Sequence, residues 1–154
     1  MAGNLTLAII KPHAVMERKV GKIIERIEGA GFGIIGAKML HLRKEGAEEF
    51  YKEHKDKYFF EMLVKSICKS PIWVMILVRD NAVEEWRNFI GSTHPVEAAE
   101  GTLRHAFGNH ENITENAVHG AATDHDARDE IVFFFGREIK LGQRINEVDD
   151  KHGF

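Results

Sequence analysis

The sequence predicts an α+β fold of the ferredoxin-like kind, a sandwich in which a four-stranded, mainly antiparallel sheet is covered by helices. Short apolar, β-branched runs alternate along the chain with segments of helical periodicity. The order of these segments allows two right-handed crossovers between strands. The length of 154 residues suits one compact core. We therefore expect a single domain over residues 1–154, with residues 137–154 as a polar tail.

The first half of the chain contains two predicted strands and three predicted helices. Residues 5–10 carry apolar side chains on both faces, which is typical of an interior strand. A helix follows with apolar residues at i, i+3, i+4 and i+7 from Val20 to Ile27, and "GAGFG" ends it. Residues 34–42 form the second predicted strand. Two short helices are predicted over "EGAEEFYKEH" and "FFEMLVKSICK", and Pro71 ends the second.

The second half begins with an interior strand, "IWVMILV" at residues 72–78, which is rich in β-branched residues. Asn81 and Glu84 form a candidate capping box for the next helix. The remaining predicted elements are a short helix near 96–100, a loop, a short strand near 117–119 and a final helix over about 124–135. Gly136 is the natural end of that last helix.

Composition and charge narrow the functional class. The formal net charge of −3 gives no overall positive field that would attract nucleic acid or an anionic membrane. The single cysteine, Cys68, fits a reducing compartment. The N-terminus lacks the pattern of an export signal, and the longest apolar run, "PIWVMILV", is too short to cross a bilayer. We expect a cytoplasmic protein with neither a membrane nor nucleic acid as its partner.

Several common nucleotide and catalytic motifs are absent from the sequence. It has no GxxxxGK[ST] loop, no strand followed by GxGxxG, no GxSxG and no CxxC. Any phosphate must therefore be bound by side chains. The nine histidines raise the question of a metal site, but none pairs at i, i+4 on a predicted helix, so we expect no built-in metal. A zinc-binding structural module remains an alternative that metal analysis of untagged protein would reveal.

The stretch "NAVHG" places His119 at the end of a short apolar segment, next to a glycine. Glu130, on the following predicted helix, could reach one nitrogen of the imidazole and fix its tautomer. The other nitrogen would then keep the lone pair that a nucleophile needs. On these residues alone, a hydrogen-bonded loop histidine remains the simpler interpretation.

Basic and hydroxyl side chains elsewhere could bind a triphosphate. Lys11 ends the first predicted strand, and Arg87, Thr93 and Arg104 lie in or beside the segments "GSTHP" and "GTL". Together they could hold phosphates by charge-assisted hydrogen bonds. Phe59, at a helix start, could stack on a base. Taken singly, each also has a purely structural explanation. Lys11 could be a solvated residue at a strand end, the arginines could form surface ion pairs, and Phe59 could belong to the apolar face of a helix.

Six separated segments resemble the nucleoside diphosphate kinases in their order and approximate spacing: "IIKP", "VGKIIERIEGAGF", "FYKEHKDKYFF", "GSTHP", "GTLRHAF" and "NAVHG". The similarity runs from about residue 4 to residue 136, which is nearly the whole chain. The six matches together are far more specific than any one of them.

The resemblance implies the roles of individual residues. His119 corresponds to the histidine that becomes phosphorylated, and Asn116 to the residue that hydrogen-bonds the 3′-hydroxyl of the sugar. The other matching positions are Lys11 at the strand end, Tyr51 near the histidine, Phe59, Leu63 and Ile113 around the base, Arg87, Thr93 and Arg104 at the phosphates, and Glu130 as the acid that orients the histidine.

The resemblance also implies an enzyme, a phosphotransferase. It would move the γ-phosphate of a nucleoside triphosphate to a nucleoside diphosphate by a ping-pong mechanism, with broad tolerance of bases. Mg²⁺ is expected to arrive on the nucleotide phosphates, and the protein is expected to form a homo-oligomer, either a hexamer or a tetramer. The alternative is a catalytically weakened relative that binds nucleotide or nucleic acid as a regulatory protein.

The sequence departs from the family pattern in four places. After the histidine and glycine, Ala121 and Ala122 replace the usual serine and aspartate. The missing hydroxyl normally helps to hold the orienting acid, a bond worth about 0.5–1.5 kcal/mol. His13 stands where the family has the aspartate of K-P-D. The loop at residues 105–115 is longer than usual, and the C-terminal tail resembles none of the family's subunit-locking tails.

Overall fold

The computed structural model describes the backbone of residues 3–141 and the side chains of residues 3–138. The described strands are β1 (Leu5–Ile10), β2 (Gly33–Leu40), β3 (Ile72–Val78) and β4 (Val118–Gly120). The described α-helices are α1 (Pro12–Met16), α2 (Val20–Gly29), α3 (Lys44–Phe50), α4 (Phe60–Ile67), α5 (Ala82–Ile90), α6 (Leu103–Phe107) and α7 (Asp124–Leu141). Short 3₁₀ turns lie at Lys52–His54, Pro95–Glu97 and Ile113–Glu115.

The four strands form one sheet in the order β2-β3-β1-β4, and every neighbouring pair is antiparallel. The predicted ferredoxin-like α+β class is confirmed, and the structure supplies the strand order that the sequence left open. Strand β1 lies inside the sheet, where Ile9 pairs with Val74 of β3 on one side and with His119 of β4 on the other. Strand β4 is an edge strand of three residues. Its position therefore depends on β1 and on side chains from outside the sheet.

Helices cover both faces of the sheet, which explains why all six residues of β1 are buried. Leu5, Leu7 and Ile9 join a core cluster with residues of α3, α4 and α7. Ala8 and Ile10 point the other way and join a cluster with residues of α2 and α5. This alternation is the normal geometry of a strand. Burial on both faces fixes the carboxyl end of β1, where the polar groups described below begin.

The final helix is longer than predicted. Helix α7 continues to Leu141, so the predicted end at Gly136 was wrong, and the first five residues of the predicted tail are helical. A glycine inside a helix costs only about 1 kcal/mol relative to alanine. The extension adds an ion pair between Glu138 and Lys38 of β2, with 2.8 Å between Nζ and Oε1. The rest of the predicted tail, residues 142–154, lies outside the described residues.

The segment between α5 and β4 also differs from the prediction. The helix predicted near 96–100 is a 3₁₀ turn at Pro95–Glu97, and helix α6 was not predicted. Thr102 begins α6, since its hydroxyl accepts a hydrogen bond from the backbone N–H of His105 at 3.3 Å. Helix α6 has only five residues, so its sequence is too short to show a helical repeat of apolar positions.

The predicted capping box of α5 was wrong. Asn81 has a left-handed backbone conformation, with φ of 55°, and its side-chain amide donates to the carboxylate of Glu84 at 2.8 Å instead of accepting from the backbone. The other predicted helices and strands are present, with small shifts at their ends. Within residues 3–141, no helix combines the length and the apolar character needed to cross a bilayer.

Candidate active site

The imidazole of His119 lies where β4 meets α7. Its Nε2 is 2.7 Å from Oε1 of Glu130 on α7, and the two side chains are 19% and 18% exposed. A carboxylate accepts hydrogen bonds, so Nε2 carries the ring proton and donates it, while Nδ1 keeps its lone pair. The arrangement leaves Nδ1 as the nitrogen that is not engaged by Glu130, on a ring that is partly exposed.

Helix α5 holds the backbone beside this imidazole. The indole Nε1 of Trp86 donates to the carbonyl oxygen of His119 at 3.0 Å. The same indole occupies the space next to Gly120: a Cβ at that position would lie 2.9 Å from Cδ1 of Trp86 and 3.0 Å from Cδ1 of Ile90. The glycine after the histidine is therefore required by the close approach of α5 to β4.

A line of aromatic rings connects His119 to the α3–α4 segment. The ring of Phe50 lies edge-on to the imidazole, with 5.2 Å between centroids. The line continues through the rings of Tyr51, His54 and Phe59, with successive centroids 4.9, 6.4 and 5.4 Å apart. Burial raises the pKa of the Tyr51 phenol, which keeps it neutral. These rings set the distance between the imidazole and the start of α4.

The carboxyl end of β1 supplies a buried cation. Lys11 is 9% exposed, and its Nζ donates to Oδ1 of Asn116 at 2.7 Å. Burial, together with the positive charge of Arg104, lowers the pKa of Lys11 to about 7. The amide Nδ2 of Asn116 donates to the carbonyl of Thr93 at 2.9 Å. Among the described residues no carboxylate forms an ion pair with Lys11, and an anion beside it would favour its protonated form.

Two arginines are tethered to backbone carbonyls on either side of the histidine. Arg104 donates to the carbonyls of Gly91 and Val118, each at 3.0 Å. Arg87 donates to the carbonyl of Ala121 over a longer 3.5 Å. Burial, followed by the charge of Arg87, lowers the pKa of Arg104 to about 10, which leaves it protonated at neutral pH. A guanidinium has five N–H donors, so both arginines keep donors for phosphate oxygens.

The residues predicted to hold the base lie at the outer edge of the site. Phe59 and Leu63 are half-buried at the start of α4. Ile113 is 39% exposed, in the 3₁₀ turn that packs against α4. Thr93 has an exposed side chain, and its carbonyl makes the contact with Asn116. The hydroxyl predicted at the phosphates is therefore at the surface of the site.

A cavity of about 870 Å³ lies along α4, away from the histidine. Phe60, Val64 and Cys68 line one part of it, and Thr114 and Glu115 line another. None of the predicted catalytic residues belongs to its lining. The hydrogen bonds that tie Lys11 and Arg104 to the segment bearing His119 mark the candidate site better than cavity size does.

The family model for nucleoside diphosphate kinase matches residues 4–139. The chain belongs to the nucleoside diphosphate kinase family. The resemblance seen in the sequence is confirmed, and with it an enzyme that transfers phosphate between nucleotides.

Relatives named nucleoside diphosphate kinase match most of the chain. The protein of Histophilus somni (strain 2336) is 50% identical over 130 residues, which are 84% of this chain and 91% of the relative. The protein of Pasteurella multocida (strain Pm70) is 45% identical over 138 residues, which are 88% of this chain and 96% of the relative.

Solved structures of nucleoside diphosphate kinases share the fold. The Aquifex aeolicus protein has a TM-score of 0.83 at 34% identity, covering 87% of this chain and 96% of that one. The Halobacterium salinarum protein, solved in complex with CDP, has a TM-score of 0.82 at 32% identity, covering 86% of this chain and 88% of that one.

Three contacts of this nucleoside diphosphate kinase site were not predicted. Phe50 was placed only within a predicted short helix, and Trp86 was given no role. His13 was noted only as a departure from the family pattern, yet it is buried and accepts a hydrogen bond from the N–H of Ala117. In the sequence, Gly120 was a signal of these contacts, because a glycine next to His119 indicates that another group approaches the backbone closely.

Proposed function

We propose that this enzyme transfers the γ-phosphate by a ping-pong mechanism through a phosphohistidine on Nδ1 of His119. The observation that carries the proposal is the 2.7 Å contact between Nε2 of His119 and Glu130. It keeps the proton on Nε2, so Nδ1 is the nitrogen with a lone pair. Glu130 then acts as the group that orients the ring.

The reaction is an in-line displacement at phosphorus. Nδ1 attacks the γ-phosphorus of a nucleoside triphosphate, and an N–P bond forms while the bond to the β,γ-bridging oxygen breaks. The nucleoside diphosphate leaves with that electron pair. The ring gains positive charge as the bond forms, and the carboxylate of Glu130 stabilises it. A second nucleoside diphosphate enters and reverses the same steps.

Positive side chains stabilise the charge on the transferring group. Lys11 is a buried cation at the end of β1, Arg104 is half-buried and donates to the carbonyl of Val118 in β4, and Arg87 is exposed. Fixed donors aimed at the developing charge are a main source of catalysis in phosphoryl transfer. Asn116, already bonded to Lys11, is assigned to the sugar 3′-hydroxyl. Tyr51 supports the histidine through Phe50.

The base is held by stacking. Phe59, supported by Leu63, forms one face of the base slot, and Ile113 lies on the facing turn. Thr93 adds a hydroxyl at the phosphate side. Stacking uses the π-face that every base has, so these side chains support broad base tolerance.

Mg²⁺ is proposed to arrive with the nucleotide. Within residues 3–138, no three histidine, cysteine or carboxylate side chains are placed to hold a metal ion, and the groups around His119 are mostly hydrogen-bond donors. Such a set suits phosphate oxygens, so phosphates and water would ligate the ion. When bound, Mg²⁺ neutralises phosphate charge. We also propose a cytoplasmic homo-oligomer, hexameric or tetrameric, in keeping with the family and with the single cysteine.

The test is phosphoenzyme formation with γ-labelled MgATP. We expect label that is stable in base, labile in acid and transferred to GDP when GDP is added. His119→Ala should form none. The control is His125→Ala, which removes an imidazole that is 80% exposed and should leave labelling intact. Label that persists in His119→Ala would place the chemistry elsewhere, and wild-type protein without label would favour a nucleotide-binding regulatory protein.

A further inference from the structure

Ala117 forms a strained turn immediately before β4. Its φ is +72°, a left-handed value that is uncommon for a residue with a side chain. The N–H of Val118 donates to the carbonyl of Asn116 at 2.9 Å, which closes a three-residue turn centred on Ala117. Turns of this kind with positive φ are rare and strained. Ala117 is fully buried, so water cannot satisfy its backbone.

The segment after β1 holds both polar groups of this turn. The N–H of Lys11 donates to the carbonyl of Ala117 at 2.8 Å. The N–H of Ala117 donates to Nε2 of His13 at 2.9 Å, and His13 is 7% exposed. A backbone N–H can only donate, so Nε2 of His13 is unprotonated and the ring proton is on Nδ1.

The Ala117 turn connects the parts of the active site. Asn116, directly before it, accepts the hydrogen bond of the Lys11 ammonium. Val118, directly after it, offers its carbonyl to Arg104, and His119 follows. A change in this turn would therefore move the amide, the tethered cation and the nucleophile relative to one another.

We propose that His13 is a positioning residue for phosphoryl transfer, because its neutral imidazole holds the Ala117 turn and thereby the alignment of Lys11, Asn116 and His119. The inference rests on the proposed role of His119. Protonation of His13 places an Nε2–H against the N–H of Ala117, and two donors cannot bond to each other. The site then loses the acceptor that stabilises the turn.

Burial and the neighbouring charges together determine the pH at which His13 is protonated. Burial is the largest influence and lowers the pKa of His13. Glu115 and Glu17 favour the protonated ring, whereas Lys11 and Lys69 oppose it. The acceptor is therefore present at neutral pH and is lost on acidification.

A matched pair of variants tests the acceptor. In His13→Gln, Oε1 stands the same number of bonds from Cα as Nε2 does, so it can accept from Ala117 without titrating. His13→Met has the same reach and no comparable acceptor. We expect His13→Gln to form phosphoenzyme within about threefold of the wild-type rate, and His13→Met to be slower by about tenfold, the worth of one buried hydrogen bond. The KM for nucleotide should change less than the rate of phosphoenzyme formation, since the residues proposed to stack on the base are unchanged.

The pH profile separates positioning from a general loss of stability. In the wild type, protonation of His13 removes the acceptor of the Ala117 N–H and lowers the phosphorylation rate towards low pH. In His13→Gln this contribution is absent, and the fall should be shallower. Equal rates for the Gln and Met variants, or identical profiles for the Gln variant and the wild type, would overturn the inference.

Histidine ¹⁵N NMR of the wild type gives a readout that needs neither catalysis nor a folded variant. We expect the neutral Nδ1–H tautomer for His13 at neutral pH. A neutral Nε2–H tautomer contradicts the inference even if the enzyme is active. Failure of wild-type protein to form phosphoenzyme contradicts the proposed function instead, so the two failures are distinguishable.

Discussion

The two walls of the proposed active site are built in different ways. The inner wall comprises Lys11, Asn116, the Ala117 turn and β4. Its Lys11 and Asn116 side chains are buried and hydrogen-bonded to each other and to the backbone of the neighbouring loop. The outer wall comprises Phe59, Leu63 and Ile113, which are only partly buried. The neighbouring Tyr58 is 97% exposed.

In the proposed mechanism, this difference separates catalysis from recognition. Catalytic groups stabilise a transition state best when they are fixed before the substrate arrives. The inner wall has that property because the sheet and its hydrogen bonds hold each group. The outer wall offers a ring and aliphatic surface with little hydrogen-bonding specificity, which suits bases of different shape. Substitutions in the inner wall should therefore change rates, and those in the outer wall should change binding.

The largest expected effect is that of Lys11→Met. Loss of a fixed cation at the developing charge should lower kcat/KM by about 10²–10³-fold, as removal of one such donor does in other enzymes. Steady-state transfer from ATP to a nucleoside diphosphate measures it. Lys57→Met, which removes an exposed lysine near the outer wall, is the control and should be nearly silent. A loss below about tenfold for Lys11→Met would remove the distinction between the walls.

The same lysine should make stability depend on pH. Its pKa of about 7 in the folded protein is below the unfolded value of 10.5. Between these values the unfolded chain binds more protons, so the free energy of unfolding of the nucleotide-free enzyme should rise with pH. The slope from this group is at most about 1.4 kcal/mol per pH unit. Urea unfolding at several pH values should show a smaller slope for Lys11→Met, and an unchanged slope would mean that Lys11 is well solvated.

Phe59→Ala tests the outer wall. Loss of one stacked ring should raise nucleotide KM by about tenfold or more while kcat changes little, since base stacking is worth about 1–3 kcal/mol. The rise should be similar for purine and pyrimidine diphosphates. Tyr58→Ala is a neighbouring control that removes a ring in open solvent. A lower kcat with unchanged KM would instead make Phe59 part of the inner wall.

The smallest effect is expected from restoring the family's serine with Ala121→Ser. One additional hydrogen bond to Glu130 would raise the phosphorylation rate by at most about tenfold. Ala122→Ser is the matched control, because Ala122 is exposed whereas Ala121 is 1% exposed. Rapid-mixing measurements of phosphoenzyme formation compare the two. Ala121 packs with Val83 and Ala127, so a slower Ala121→Ser enzyme would show that the hydroxyl disturbs this cluster.

Local patterns in the sequence predicted most of the fold. Strands β1 and β3 are continuous apolar runs because both of their faces are covered, and helix α2 shows a regular apolar stripe. Helix α6 was missed since five residues complete little more than one turn. The end of α7 was misplaced because Gly136 is tolerated inside a helix that gains contacts with β2.

Chemical type and family resemblance predicted the candidate site residues, but not how they are held. The contact of His119 with Glu130 was anticipated from their types and placement. The interaction of His13 with the Ala117 backbone joins positions 104 residues apart, and the donor is a main-chain group with no side-chain signature. The hydrogen bonds from Arg104 to the carbonyls of Gly91 and Val118 could not be predicted from the sequence for the same reason.

Such hydrogen bonds determine how the enzyme tolerates motion during turnover. Arg104 is bonded to the carbonyl of Val118 and Arg87 to that of Ala121, so both guanidinium groups travel with the strand that bears the imidazole. Under the proposed mechanism, these cations therefore follow any displacement of the imidazole relative to α4, and nucleophile and cations stay aligned while nucleotides exchange.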